Sequence, residues 1–285
     1  MSPVRSEGCD ALTAGADVGT SLVKLALRQA DGETRYELLP SGDLSAVAAH
    51  LAAAGPTRVG LTGGGASRLS RLIDSDTAEV GEFEAWAGGA RSMLREEGQP
   101  HPRFLLVSLG TGTSALLVEH DAVRRVGGTA LGGGTLLGLG RELAGTGRFE
   151  ELCALASAGD RKRVDLLIAD VYPEGGFMLP AEVNAASFAR IARLADGEVA
   201  RPDDLVQALM GLVGENVALI CCGLAAAHRV SPIVFGGTSL RGNPTLVGVL
   251  RLVCLALGTH PTFLPRGEFA GALGALERVA APSGR

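Results

Sequence analysis

Lysine is almost missing from this chain: it occurs at Lys24 and Lys162 only, and arginine carries the rest of the positive charge. The arginines are scattered, and the formal net charge is −5, so there is no basic stripe to attract a phosphate backbone and nucleic acid is not an expected partner. No Gly-Lys pair exists, which excludes the G-x-x-x-x-G-K-[ST] phosphate loop. No strand is followed by G-x-G-x-x-G with an acidic residue at the proper distance, which excludes a dinucleotide fold of that type. The stretch Met1 to Asp10 has no apolar core of the signal-peptide kind, and the run Val217 to Ala227 falls short of the roughly 20 apolar residues that span a bilayer. A cytoplasmic protein without a membrane partner is expected.

Cys9, Cys153, Cys221, Cys222 and Cys254 are odd in number and show no C-x-x-C spacing. Neighbouring helical side chains point about 100° apart, so Cys221 and Cys222 do not form a metal clamp. Buried, reduced thiols are the expectation. The histidines, His50, His101, His120, His228 and His260, are isolated, and none is assigned a role.

What the chain does contain is 46% hydrophobic residues and 41 glycines in 285 positions, enough for one large core or two modest ones. Apolar runs at Leu12 to Val18 and Leu22 to Arg28 read as strands around the turn Gly19-Thr20-Ser21. Leu44 to Ala54 reads as a helix, Arg58 to Leu61 as a buried strand, and Glu82 to Arg95 as a helix. The glycine turn at Gly63 to Gly65 must bring backbone close to something. A second cycle repeats the scheme: strands at Phe104 to Ser108, Ser114 to Glu119 and Ala122 to Val126, with Gly110-Thr111-Gly112 between the first two. The repetition suggests a duplicated α/β fold. Helices are expected at Leu136 to Ala144, Phe149 to Ala158, Arg163 to Val171, Ala185 to Leu194, Pro202 to His228, Pro244 to Leu257 and Phe269 to Ala281. Strands are expected at Pro232 to Phe235 and Pro261 to Leu264.

Three glycine-rich turns follow buried strands: Asp17 to Ser21, Gly110 to Ser114 and Gly236 to Ser239. Each alone could be ordinary hairpin chemistry. Together they offer backbone N–H groups and small hydroxyls to anions, as a nucleotide site would. Asp17 ahead of the first turn and Lys24 seven residues on suit Mg²⁺ with a polyphosphate: a carboxylate for the hydrated metal, an ammonium for residual charge.

The blocks Asp17 to Lys24, Thr62-Gly-Gly-Gly-Ala66, Glu82-Phe-Glu-Ala85, Ser108 to Ser114, Arg125 to Thr135, Gly159-Asp160 with Asp165 to Tyr172, Asn184 to Phe188, Gly214-Glu-Asn216, Phe235 to Asn243 and Phe269 to Ala275 stand in one order. In that order and spacing the chain resembles the type II pantothenate kinases, over about Leu12 to Leu276. The resemblance implies a two-lobed actin/hexokinase-like fold of the duplicated ribonuclease H type. Its lobes would be 1–100 and 101–285, with ATP in the cleft between them. It implies that Asp17, Gly19, Thr20, Ser21 and Lys24 meet the ATP phosphates, with Mg²⁺ carried by ATP near Asp17 and no dedicated protein metal site. It further implies that Thr111, Gly133, Gly134, Thr135, Phe149 and Thr238 face the nucleotide, that Glu82 is catalytic, and that Arg125 and Ser114 hold pantothenate. The family's first loop usually reads Asp-x-Gly-Gly-Thr; here Thr20 replaces the second glycine and Ser21 the threonine.

Read without the family, Glu82 is an ordinary first-turn acid favoured by the helix dipole, and Arg125 a solvated hairpin arginine. In context, a carboxylate beside the acceptor alcohol supplies the proton acceptor that phosphorylation requires, and a guanidinium fork can grip the pantothenate carboxylate. The implied activity is phosphorylation of pantothenate, the entry step of coenzyme A synthesis. CoA or an acyl-CoA is a candidate inhibitor, and a homodimer is expected because the family is dimeric and the helix Pro202 to His228 is apolar around much of its circumference. Alternatives are a kinase for another alcohol, such as pantetheine or a sugar, and a non-catalytic member that binds nucleotide or CoA.

Overall fold

The computed structural model describes residues 12–120, 122–173 and 183–280. The chain forms two compact units: one contains the residues up to Leu106, Leu116–Arg125 and those from Phe263 onward, the other Val107–Ala115 and Val126–Thr262. The units are therefore not the consecutive stretches 1–100 and 101–285, because the end of the chain returns to the first sheet.

That sheet has the order β3-β2-β1-β4-β5, from β1 (Thr13–Val18), β2 (Leu22–Arg28), β3 (Thr34–Pro40), β4 (Arg58–Thr62) and β5 (Asp76–Glu79). β1 to β3 form an antiparallel meander, and β4 and β5 add in parallel. Strand alternation splits β1 between two surroundings. Ala14, Ala16 and Val18 join a core with Val47, Ala48 and Leu51 of α1 (Leu44–Ala54) and Ala66 and Leu69 of α2 (Ala66–Ser70). Asp43 caps α1, accepting from the Ser45 and Ala46 N–H groups at 3.0 and 3.1 Å, and Gly55 closes it in the left-handed conformation.

The opposite face of the sheet carries small residues and receives α9 (Ala270–Ala280). A Cβ at Gly15 of β1 would lie 2.0 Å from the Ala272 carbonyl oxygen, and one at Gly60 of β4 would lie 2.1 Å from that of Ala275. α3 (Glu82–Glu96) lies against α9 just as tightly: a Cβ at Gly274 would lie 1.8 Å from the Ala85 carbonyl oxygen. Only glycine allows this approach of backbone to backbone.

The second sheet has the order β12-β11-β6-β7-β8, from β6 (Arg103–Leu109), β7 (Thr113–Glu119), β8 (Ala122–Thr129), β11 (Pro232–Gly236) and β12 (His260–Phe263). Within the second unit follow α4 (Gly133–Ala144), α5 (Phe149–Ala158), β9 (Leu166–Leu167), α6 (Ile168–Val171), β10 (Asn184–Ala186), α7 (Pro202–Ala227) and α8 (Pro244–Ala256). α7 spans 26 residues with a mean hydropathy of 1.8 in its most apolar window, long and apolar enough by composition to cross a membrane, contrary to the shorter run seen in sequence. Its Val206, Leu209, Met210, Val213 and Val217 are buried and it packs on α4, α5 and α8, as a core helix does.

Two expected helices are absent. Arg163 to Val171 is instead a 3₁₀ turn, β9 and the short α6, and Ala185 to Leu194 is β10 followed by turns and a 3₁₀ segment at Ile191–Arg193. Asp165 explains both changes: fully buried, it takes Arg161 Nε at 2.6 Å and the Phe188 N–H at 2.8 Å, which draws two segments together as the β9–β10 pair. Phe188 has φ of +60°, which ends any helix there. α4 begins at Gly133, three residues earlier than expected, and β5 and α2 were not anticipated. Cys153, Cys221, Cys222 and Cys254 are buried free thiols; Cys9 and Ala281 lie outside the described residues.

Helix propensity and close packing oppose each other at Gly274. In open space Gly→Ala in a helix stabilises by about 0.5–1 kcal/mol. Gly248→Ala in α8, where a Cβ meets nothing within 4 Å, should therefore raise the urea midpoint. Gly274→Ala should lower stability by about 1–3 kcal/mol by forcing α9 off α3. Equal shifts for the two variants would overturn the close-approach account.

Candidate active site

In the first unit three side chains stand in register across three adjacent strands. Asp17 at the end of β1 is paired with Lys24 of β2 on one side and Thr62 of β4 on the other, and directly opposed residues share a face. That face is the one covered by α9. Asp17 is 4% exposed, and its Oδ2 lies 3.3 Å from Lys24 Nζ. Two glycines make the space: a Cβ at Gly63 would lie 2.8 Å from Asp17 Oδ1, and one at Gly271 would lie 2.9 Å from Oδ2 and 3.0 Å from Trp86 Nε1. Burial raises the Asp17 carboxyl above the ordinary aspartate range, and the charge and hydrogen bond of Lys24 oppose that rise.

Glu82 opens α3 two residues after Val80, whose N–H donates to the Leu61 carbonyl and continues the β4–β5 pairing. The residue is exposed overall, yet its carboxyl is raised above the usual glutamate value by desolvation first and by the Asp17 charge second, with Lys24 acting the other way. Asp17, Lys24 and Glu82 thus form one electrostatic group.

The turn from Gly19 to Leu22 is closed by Gly19 N–H donating to the Leu22 carbonyl at 3.1 Å. Lys24 Nζ lies against it, 2.9 Å from where a Cβ at Gly19 would be. Thr20 and Ser21 are exposed, and Ser41 Oγ donates to the Thr20 carbonyl at 2.6 Å. Thr20 does not have a positive φ, so replacing a glycine there costs no backbone strain. Arg125 is exposed on β8. Ser114 is half-buried on β7 and belongs to the second unit.

The second unit brings three of the expected segments together. The Gly110 N–H donates to Gly112 O at 2.9 Å, and the first amides of α4 lock onto this turn, Gly133 N–H to Gly110 O and Gly134 N–H to Thr111 O, both at 2.8 Å. Ser239 Oγ donates to the same Gly110 carbonyl at 3.0 Å, and Gly237, with φ of +117°, approaches Leu109 where a Cβ would lie 2.3 Å from its carbonyl. Thr111, Gly133, Gly134, Thr135 and Thr238 thus share one region. Because Gly133 and Gly134 spend their amides on the turn, an anion there must be met by other donors. The Thr135 hydroxyl is engaged by the Gly132 N–H and the Ala130 carbonyl, both at 3.3 Å. Phe149 is half-buried at the start of α5.

Sequence reading did not single out Thr62, Trp86 or Gly271, although the Thr62 to Gly65 run and the Phe269 to Ala275 block carried the signal. Nor did it find the network in which Arg161 binds Glu215 through both nitrogens, at 2.8 and 3.2 Å, together with Asp165, while Asn184 Nδ2 donates to Glu215 and Ser187. Among the described residues no group of three or more His, Cys, Asp or Glu side chains is arranged to hold a metal ion.

The fold is the α/β actin/hexokinase-like class. One solved neighbour of this class is a ROK family glucokinase from Streptomyces griseus in complex with glucose and AMPPNP, with a TM-score of 0.60 at 15% identity over 94% of this chain and 99% of that one. A family model described as Fumble matches residues 88–278. A type II pantothenate kinase of Staphylococcus haemolyticus (strain JCSC1435) is 31% identical over 262 residues, 92% of this chain and 98% of its own length. One of Bacillus cereus (strain ATCC 10987 / NRS 248) is 32% identical over 273 residues, 94% and 98%. The chain belongs to the Fumble family, that of the type II pantothenate kinases.

The Glu82 environment sets a sign for stability. A carboxyl raised in the folded state opposes folding once ionised, so that cost is absent at about pH 4 and grows as pH rises through the elevated value. Relative to the native protein, Glu82→Gln should therefore melt higher at pH 7 than at pH 4. A difference independent of pH would show that Glu82 is not strained by Asp17 and burial.

Proposed function

We propose that this protein transfers the γ-phosphoryl group of ATP to the primary hydroxyl of pantothenate, giving 4'-phosphopantothenate for coenzyme A synthesis. The observation that carries the reading is the group Asp17, Lys24 and Glu82, built on one sheet end of a chain whose relatives are type II pantothenate kinases.

In this reading the acceptor oxygen attacks the γ-phosphorus, its proton passes to Glu82, and the bond to the ADP oxygen breaks. The raised affinity of Glu82 for protons suits a base that must accept one in the transition state. Lys24 and the backbone of the Gly19 turn meet the phosphates, and the exposed hydroxyls of Thr20 and Ser21 offer further donors. Asp17 fits a hydrated Mg²⁺ brought in with ATP: it is a buried carboxylate, no group of three or more ligating side chains is formed among the described residues, and Mg²⁺ commonly binds through one or two carboxylates, waters and phosphates. The ion would neutralise charge on the β- and γ-phosphates. Thr111, Gly133, Gly134, Thr135, Phe149 and Thr238 are the proposed nucleotide contacts of the second unit. Arg125 would hold the pantothenate carboxylate and Ser114 its polar groups. CoA or an acyl-CoA is the proposed inhibitor class.

A coupled ATP-consumption assay across pantothenate, pantetheine, glucose and N-acetylglucosamine tests the substrate, and turnover of pantothenate alone is expected. Glu82→Gln should lower kcat by about 10²- to 10⁴-fold while the protein stays folded. Arg125→Ala should raise KM for pantothenate more than for ATP. An unchanged kcat in the Glu82 variant would favour a non-catalytic binding protein.

We also propose a cytoplasmic homodimer formed through α7 and α8. Leu219 and Ile220 of α7 and Leu252, Leu255 and Leu257 at the end of α8 are exposed by 37–70%, and Leu219 and Leu257 line one open groove of about 640 Å³. Light scattering should give twice 29.1 kDa, and Leu219→Asp with Leu252→Asp should halve it. A monomeric native protein at micromolar concentration would exclude the dimer.

A further inference from the structure

The first unit contains a buried hydroxyl with nothing to bond. Thr62 is 1% exposed, and its Oγ1 has no hydrogen-bond partner. Orphaned buried hydroxyls cost stability and are uncommon, so this one calls for a physical reason.

Its position supplies one. Thr62 is the direct neighbour of Asp17 across the parallel β1–β4 pair, on the same face of the sheet, with strands about 4.8 Å apart. The Asp17 carboxylate is divided between two sides. Oδ2 meets Lys24 at 3.3 Å, whereas Oδ1 faces Gly63, the residue that follows Thr62. Asp17 therefore depends on Lys24, and the neighbouring donor stands idle.

Lys24 is also the cation seated against the Gly19 turn. An anion bound to that turn competes with Asp17 for the ammonium. When Lys24 moves to the anion, a buried carboxylate is left without its counter-charge, next to Glu82, whose own charge repels it. Such an uncompensated charge is strongly unfavourable. Among the described residues the groups facing Asp17 are Lys24 from β2, Glu82 and Trp86 from α3, Gly271 from α9, Thr62 from β4 and Gly63 just after it.

We propose that Thr62 is a positioning residue for Asp17: when Lys24 turns to an anion on the Gly19 turn, the Thr62 hydroxyl donates to the Asp17 carboxylate and holds it in place. In the proposed kinase the anion is the ATP polyphosphate, and the inference rests on that reading for its purpose. The exchange itself is a property of the protein alone. It keeps the Asp17 carboxylate aimed while its lysine is occupied elsewhere.

A double-mutant cycle of Lys24→Met and Thr62→Val, read as melting temperature at pH 7 without nucleotide or acceptor, isolates the exchange. Thr62→Val alone should leave the melting temperature unchanged or slightly higher, since an idle hydroxyl is replaced by an isosteric methyl. Lys24→Met alone should lower it modestly, because Thr62 takes over Asp17. The double variant should fall below the sum of the two by about 2–4 °C or more. Lys24→Met with Thr62→Ser, which keeps the hydroxyl, should match Lys24→Met alone. Additive shifts, a Thr62→Ser variant no better than Thr62→Val, or a Lys24→Met protein that fails to fold would overturn the proposal. A double variant that fails to fold while both single variants fold would support it. If the native protein fails to phosphorylate pantothenate, the functional reading falls and the cycle still decides the role of Thr62.

Discussion

The burial of one carboxylate organises the first unit. Asp17 sits at the end of a strand whose other face is apolar core, and it is taken almost wholly out of water. A charge can be kept there only if the surroundings are arranged for it. Lys24 supplies the counter-charge from the adjacent strand, Gly63 and Gly271 leave room for the two oxygens, and Trp86 walls the site from α3. The glycines that bring α9 onto β1 and β4 serve the same end, because α9 positions Gly271 over the carboxylate. Packing and electrostatics are here one constraint.

The electrostatic consequence reaches Glu82. Its strand-to-helix entry places it in the field of Asp17, and both groups hold protons more tightly than in water. Two carboxyls, Asp17 raised by burial and Glu82 by burial and by Asp17, that share a single lysine form a site whose balance changes when any anion or cation enters. An ordinary first-turn acid on a solvated helix lacks that coupling.

The second unit uses glycine differently. There the turn at Gly110 is locked by the first amides of α4 and by Ser239, so several segments distant in sequence are held as one piece. The Arg161 network does similar work for the segment around Asp165 and Asn184, replacing helical hydrogen bonds with charge-assisted contacts to Glu215. The actin/hexokinase-like architecture hosts unrelated chemistries, and the reading as a kinase rests on this chain's relatives and on its own site residues, not on the fold.

Much was legible in the sequence, for identifiable reasons. Apolar periodicity marked β1, β2, β4, α1, α3, α5, α7 and α8 because each buries a face, and the glycine turns marked close approaches because no other residue permits them. Asp17 and Lys24 stood out as the acid and cation flanking a hydroxyl-rich glycine turn, whereas Glu82 stood out only through the resemblance to the type II pantothenate kinases. Periodicity failed where polar partners distant in sequence govern the backbone: Asp165 pulled two helical patterns into the β9–β10 pair through Arg161 and Phe188. It also missed the return of α9 to the first sheet, since a helix's own pattern does not say which sheet it covers. The identity of Asp17 was therefore set by local sequence, while its burial, its division between Lys24 and the Thr62 side, and its hold on Glu82 were decided by tertiary structure. Register and close packing act between strands and helices far apart in the chain, and only the folded molecule brings them into contact.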